Sequence, residues 1–331
     1  MTALKISSLN RRAFFAFAAA GVAGATLSPI EARKALAKEA MKGDKSAAWY
    51  RFPLGDAEVT VVSDGVLALG PIAGLYPKVP KDEVEAFVKA RFQAPDMTVF
   101  QENCLVFNTG DKLILFDSGM GGAKAFGPGA GRLQTTLASA GIKPEDVDAI
   151  ILTHGHIDHL SGIMSADAKR LFPNAQLMMA KTEFDFWTDE AKTSATGVFK
   201  MLVDAARANL LPNKDRLGMV ENGKEAVKGV QAVFTPGHTP GHTSYVLNAG
   251  GKSLLLTGDA VSHTAISFRH PDWAFSFDAD PAGAIATRKK LLDMAVADNV
   301  PIIGYHFPFP GIGNVAKDGE AFRFVASPMT L

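Results

Sequence analysis

The chain has 331 residues, 47% of them hydrophobic and 21% charged, with 34 basic and 34 acidic side chains and a single cysteine. That composition suits one large or two small folded domains and excludes an intrachain disulfide or a cysteine-built metal site. Positions 1–37 carry a net charge of +4, leaving about −4 on the remainder; with no basic stripe there, nucleic acid is not an expected partner.

The N-terminal segment reads as an export signal. Asn10-Arg11-Arg12-Ala13-Phe14-Phe15 resembles a twin-arginine motif, and the weakly apolar run from Phe15 to Leu27 is too short to cross a bilayer comfortably. Ala35-Leu36-Ala37 fits a small-x-small cleavage site. Residues 1–37 are therefore expected to be removed, giving a periplasmic or secreted protein that starts near Lys38. The competing reading is an uncleaved anchor or a frayed helix. No later segment is long and apolar enough for a membrane span.

Residues 38–56 read as a linker, and 57–331 as one domain. Positions 57–63 alternate like a strand that stops at Asp64-Gly65. Prolines at 71, 77, 80 and 95 punctuate a mixed stretch with a short helix over 83–91. Residues 103–108 and 112–116 flank Thr109-Gly110-Asp111 as a hairpin. A helix is predicted over 131–140, a buried strand over 148–152, then a strand over 176–180 and helices over 182–189 and 197–210. In the last of these Phe199, Leu202 and Ala206 share a face. Strands near 230–235, 243–247 and 253–256, a helix over 282–297 and a last strand around Ile302 complete the pattern. Cys104, within an apolar run, reads as a small buried side chain. No break divides the chain, which points to an α/β (α+β) domain of two sheets covered by helices, with a site at the sheet edge.

Seven side chains carry the chemistry. Thr153-His-Gly-His-Ile-Asp-His159 supplies His154, His156, Asp158 and His159; His238, Asp259 and His306 follow, so five of the eight histidines fall in these motifs. Nitrogen and oxygen donors without sulfur suit zinc, with manganese, iron or cobalt as alternatives. His154 and His156, two apart on a turn, can reach one ion, while Asp158 and His159 project toward another. Asp259 is the natural bridge, since each carboxylate oxygen can bind one cation. A water shared by two such ions becomes a nucleophile near neutral pH. Asp158 and Asp259 are accordingly expected to serve catalysis as well as ligation.

In this order the motifs resemble those of the metallo-β-lactamase superfamily. The resemblance implies a four-layer αββα sandwich, with His154, His156 and His238 at a first zinc, Asp158, His159 and His306 at a second, and Asp259 bridging. Ser63-Asp64-Gly65, Phe126-Gly-Pro, Phe184-Asp-Phe-Trp187, the His306-Phe-Pro-Phe-Pro-Gly stretch and Arg323-Phe324-Val325 are similar to the methyl parathion hydrolase branch. That branch implies aromatic pocket walls at Phe126, Trp187 and Phe199, with core packing the competing role for these side chains, and a dimer. Asp117 would orient a ligand histidine or its loop, and His242 would support the site rather than bind metal. His263 is either a proton donor near the ions or a solvated loop histidine, and His270 reads as surface.

The expected function is a two-zinc hydrolase that uses a metal-bridging hydroxide on small hydrophobic lactones, aryl esters or organophosphate triesters. Two alternatives stand beside it: a quorum-quenching acyl-homoserine lactonase, and a non-catalytic metal-binding periplasmic protein. Dedicated homoserine lactonases often place a tyrosine just after the bridging aspartate. Here Ala260-Val261-Ser262-His263 stands there, which weakens the first alternative without excluding lactones.

Overall fold

Alternating side chains divide the apolar residues of each strand between two cores, and that division sets the architecture. The computed structural model describes residues 47–329. The expected export signal, the first part of the expected linker and the last two residues lie outside the described residues. One sheet holds β1 (Trp49–Leu54), β2 (Ala57–Gly70), β3 (Thr98–Asn108), β4 (Leu113–Phe116), β5 (Ala149–Ile151), β6 (Gln176–Ala180) and β7 (Leu217–Val220), paired in chain order. The other holds β8 (Glu225–Val227), β9 (Val230–Phe234), β10 (Thr243–Ala249), β11 (Lys252–Leu256), β12 (Ile302–Ile303), β13 (Ile312–Asp318) and β14 (Ala321–Ala326), also in chain order.

Val61 and Leu105 enter the core between the sheets, while their neighbours Val62 and Cys104 face outward onto helices. Leu254 and Leu256 likewise face inward and Leu255 outward. Each such burial contributes about 1.5–3 kcal/mol, so a one-residue slip, which exchanges the faces, is strongly opposed. Six helices cover the first sheet: α1 (Ile72–Leu75), α2 (Lys81–Lys89), α3 (Leu133–Ser139), α4 (Ile157–Leu160), α5 (Lys181–Thr188) and α6 (Gly197–Leu210). Phe268 of α7 (Ile266–Arg269) and Leu291, Leu292 and Ala295 of α8 (Pro281–Ala297) cover the second. The result is the expected αββα sandwich. Among the described residues no helix is long and apolar enough to cross a membrane.

Three local expectations change. The segment expected as a linker contains β1, whose six residues pair antiparallel with β2. Asp64-Gly65 does not end β2: a register shift absorbs the pair and the strand runs on to Gly70. Gly65 sits at φ +123°, and a Cβ there would lie 2.1 Å from the Gly129 carbonyl oxygen, so the close approach of the two backbones requires glycine. Ile302 is not the last strand, because β13 and β14 form a hairpin beyond it.

Candidate metal centre

Parallel pairing of β4, β5, β6 and β7, and of β11 with β12, opens the carboxyl ends of these strands to one rim, the usual place for chemistry in such sheets. The loop after β5 carries His154 and His156, and α4 carries Asp158 and His159. The β9–β10 loop carries His238, the short turn after β11 carries Asp259, and His306 follows β12. His154 Nε2 and His238 Nε2 lie 3.0 and 2.9 Å from His156 Nδ1. Beside them, Asp158 Oδ2 lies 3.5 Å from both His159 Nε2 and His306 Nε2. The Asp259 carboxylate sits between the groups: Oδ2 is 3.1 Å from His306 Nε2 and 3.4 Å from His238 Nε2, and Oδ1 is 3.4 Å from His159 Nε2. All seven predicted residues are brought together, in three overlapping groups of three whose donor atoms lie within 4.8 Å of one another.

The donor set fits two divalent cations. His159 Nε2 and Asp259 Oδ1 are buried without a hydrogen-bond partner, and an unpaired buried polar atom costs about 1–3 kcal/mol. Three imidazole nitrogens at hydrogen-bonding separation are the geometry of donors converging on one centre. Burial, reinforced by the neighbouring imidazoles, holds His154 and His156 well below the usual histidine range, so both offer lone pairs. Burial also opposes charge on His159 and His306, but the carboxylates of Asp158, Asp259, Asp117 and Glu102 outweigh it and hold both well above that range. A cation and a proton compete there for the same Nε2 atoms. Removing bound ions with a chelator is therefore expected to lower Tm by roughly 10 °C. Ions at ~1,000 times their Kd stabilise by about 4 kcal/mol, and a large domain shifts by ~2–4 °C per kcal/mol. A melting curve unmoved by chelator or by added divalent ions would remove the metal assignment.

The far nitrogens of four of these rings are held by oxygen. Asp117 Oδ2 is 2.8 Å from His159 Nδ1, and the same carboxylate accepts from the Thr153 N–H and hydroxyl, both at 2.8 Å. Asp117 thus sits where an orienting residue was expected. Thr153 Oγ1 meets His154 Nδ1 at 3.0 Å, Asp278 Oδ1 meets His238 Nδ1 at 3.0 Å, and the Gln101 carbonyl meets His306 Nδ1 at 2.9 Å. His242 stands outside the cluster; its Nε2 accepts from the Asp259 N–H at 3.0 Å, and burial pushes its pKa down to about 3. His263 is not a solvated loop residue. It is buried, and its Nδ1 accepts the Ala265 and Ile266 N–H groups at 3.1 Å each, capping α7. His270 stacks on Trp273 at 4.0 Å.

A cavity above the cluster is walled by Leu67, Leu69, Phe100, Phe126, Leu202, Phe275 and Phe277. Of the three aromatic wall residues expected from the sequence, only Phe126 lines it. Trp187 is 1% exposed and lies edge-on behind His156 at 5.5 Å, with Nε1 donating to Glu183. Phe199 is 41% exposed and packs on Phe186 and Trp187. Helix α6 turns Leu202, one helical turn further on, into the cavity instead. A roomier groove by Tyr50, Leu54, Lys252 and Met329 holds none of the metal-donor groups found among the described residues.

Residues 97–306 match the family model of the metallo-beta-lactamase superfamily. The chain belongs to the metallo-β-lactamase superfamily. An N-acyl homoserine lactonase of Bacillus cereus is 27% identical over 172 residues, which cover 52% of this chain and 60% of that enzyme. The chain thus spans about 60% of the length of that curated relative. The solved structure of AidC, a dizinc quorum-quenching lactonase in complex with a product, matches with a TM-score of 0.80 at 27% identity, covering 86% of this chain and 100% of AidC. The hydrolase AbOPH, of the beta-lactamase superfamily, matches at 0.79 and 29% identity, covering 86% and 99% of the two chains. N-acyl homoserine lactonases stand among these relatives, which do not single out the methyl parathion hydrolase branch.

Several residues that shape this superfamily centre escaped the sequence reading. Glu102 places Oε1 3.3 Å from His306 Nδ1 and is fully buried, and burial raises its pKa well above the usual carboxylate range. Glu183, Asp278 and Arg288 hold the loops and carry no motif of their own. Tyr305 did have a visible signal, its place beside His306. It stacks on His159 at 3.9 Å and donates to the Asp158 carbonyl at 2.7 Å.

Proposed function

We propose that this chain is a dizinc hydrolase that opens small apolar lactones, with N-acyl homoserine lactones as the leading class. The observation that carries this reading is the Asp259 carboxylate set between two donor groups at the floor of a cavity whose walls are aliphatic and aromatic. His154, His156 and His238 would hold one ion, Asp158, His159 and His306 the other, with Asp259 shared. Nitrogen and oxygen donors favour zinc over softer or harder ions. Two such ions supply an activated water near neutral pH and polarise the carbonyl under attack.

The rest falls to the chain itself. Phe126, Phe275, Phe277 and Leu202 grip an acyl chain and keep bulk water from the carbonyl. Asp117, Asp278 and the Gln101 carbonyl fix which nitrogen each imidazole presents. The Tyr305 hydroxyl is committed to the Asp158 carbonyl and buried, so it steadies the loop and is not free to protonate a leaving group. AidC and the Bacillus enzyme, lactonases by name, support the substrate class.

The test is a metal-loaded assay across N-acyl homoserine lactones of graded chain length, aryl esters and phosphotriesters. Lactones are expected to lead triesters in kcat/KM by about tenfold or more, some 1.4 kcal/mol in the barrier. Preference for triesters would move the assignment to the methyl parathion hydrolase type. Two bound ions with no turnover of any activated substrate would favour a metal-binding protein without catalysis.

A further inference from the structure

Outside the ligands themselves, one buried ion pair links a ligand histidine, the turn beside Asp259 and the wall of the cavity. Asp278, in the loop between α7 and α8, has a fully buried side chain. Its Oδ1 lies 3.0 Å from His238 Nδ1, and its Oδ2 accepts from the Phe275 N–H and from Arg288, both at 3.3 Å. Arg288 of α8 is buried too. It donates through Nε to the Ala260 carbonyl at 3.1 Å, and through Nη1 to the Pro271 and Trp273 carbonyls at 3.0 and 3.3 Å. Ala260 directly follows Asp259. The 271–278 loop carries Phe275, which faces the His238 ring at 6.4 Å and 23°, and Phe277, which meets Phe126 edge-on at 6.2 Å.

We propose that Asp278 and Arg288 are a positioning pair that couples ion binding at the His154–His156–His238 group to the order of the substrate-pocket wall. A carboxylate on Nδ1 fixes the proton there and leaves the Nε2 lone pair of His238 for the ion. The second oxygen of the same carboxylate holds the backbone of Phe275. One small displacement of Asp278 therefore disturbs a ligand and a wall together. Arg288 keeps the carboxylate in place and pins the turn bearing Asp259. A simpler role as a loop fastener competes, because the Ala279 and Asp280 N–H groups already bond to the His238 and Gly237 carbonyls. That backbone zipper holds the loop without Asp278, so a fastener alone predicts little change at the ion.

The pair rests on the two-ion assignment but not on the substrate class. The experiment compares wild type with Asp278→Asn, Arg288→Met and Arg288→Lys. Metal affinity is measured by competition with a chromophoric chelator, the ligand field by the visible spectrum of the cobalt-loaded protein, and KM and kcat on whichever lactone or aryl ester is turned over. In Asp278→Asn one of the two ions is expected to bind about 10- to 100-fold more weakly, with an altered cobalt spectrum and a raised KM. Arg288→Met should move metal affinity and KM together, by less. Lost thermal stability with unchanged affinity, spectrum and KM would overturn the pair's role, as would affinity and KM shifting in separate variants. Should Asp278→Asn not fold, Arg288→Lys, which keeps the charge but not the fork of donors, is expected to show the paired shift; a folded Arg288→Lys protein with neither change sinks the coupling. The chelator and cobalt measurements need no substrate, so failure of the lactone assignment leaves them decisive.

Discussion

Asp259→Asn is expected to lower kcat by about a thousandfold and to cut bound metal from two ions to one per chain. The substitution keeps the shape of the side chain but removes its charge and one of its two lone-pair-bearing oxygens. The carboxylate contacts His238 on one side and His159 and His306 on the other, so it is the single group that can offset repulsion between neighbouring cations. Burial pushes its pKa up, yet His306 and His159 outweigh that and hold it well below the usual carboxylate range. Metal analysis and steady-state kinetics on the purified variant decide the matter. Two ions retained with kcat unchanged would end the bridging assignment.

The largest loss of stability is expected from Glu183→Ala, about 3–5 kcal/mol, since buried donors left without an acceptor cost roughly 1–3 kcal/mol each. Glu183 is a buried carboxylate in the first turn of α5. Its Oε1 accepts from the Gly155 N–H at 2.8 Å and from Trp187 Nε1 at 2.6 Å, and its Oε2 accepts from the Gly241 N–H at 2.8 Å. Gly155 separates His154 from His156, and Gly241 lies three residues beyond His238, so one side chain fastens both histidine loops. The approach is close enough that a Cβ on Gly155 would lie 2.3 Å from the Trp187 ring. Alanine strands three buried donors at once. Glutamine should cost less, because its one carbonyl oxygen can still take the Gly155 and Trp187 pair while its amide meets the Gly241 N–H donor to donor. Denaturant unfolding of the metal-free proteins isolates this effect from ion binding. An alanine variant within about 1 kcal/mol of wild type would show that the clasp is dispensable.

The candidate metal donors were legible because they are chemically rare and sit in short motifs: five histidines and two aspartates point to a metal centre before any fold is known. Their partners were not. Asp278 lies 40 residues from the histidine it orients, and the Gln101 carbonyl 205 from His306; an isolated carboxylate or backbone oxygen has no pattern. The pocket walls failed for another reason. Phe199 and Leu202 share an apolar face of α6, and only packing against α5 decides that the aromatic looks away and the leucine looks in. Phe275 and Phe277 sit in a loop with no periodicity to read. The missed hairpin of β13 and β14 had a signal after all: Asp318-Gly319 between alternating residues, with Gly319 at φ +63°, is a strong hairpin mark. The bulge at Asp64-Gly65 shows the converse, a turn-like dipeptide that the ladder simply absorbs.

The division of ligands between the sheets has a consequence for biosynthesis. Four donors, at 154–159, belong to the half made first, and three, at 238, 259 and 306, to the half made later. Neither donor group is complete until the later half is made, since the first needs His238 and the second His306, so full coordination requires both halves of the chain.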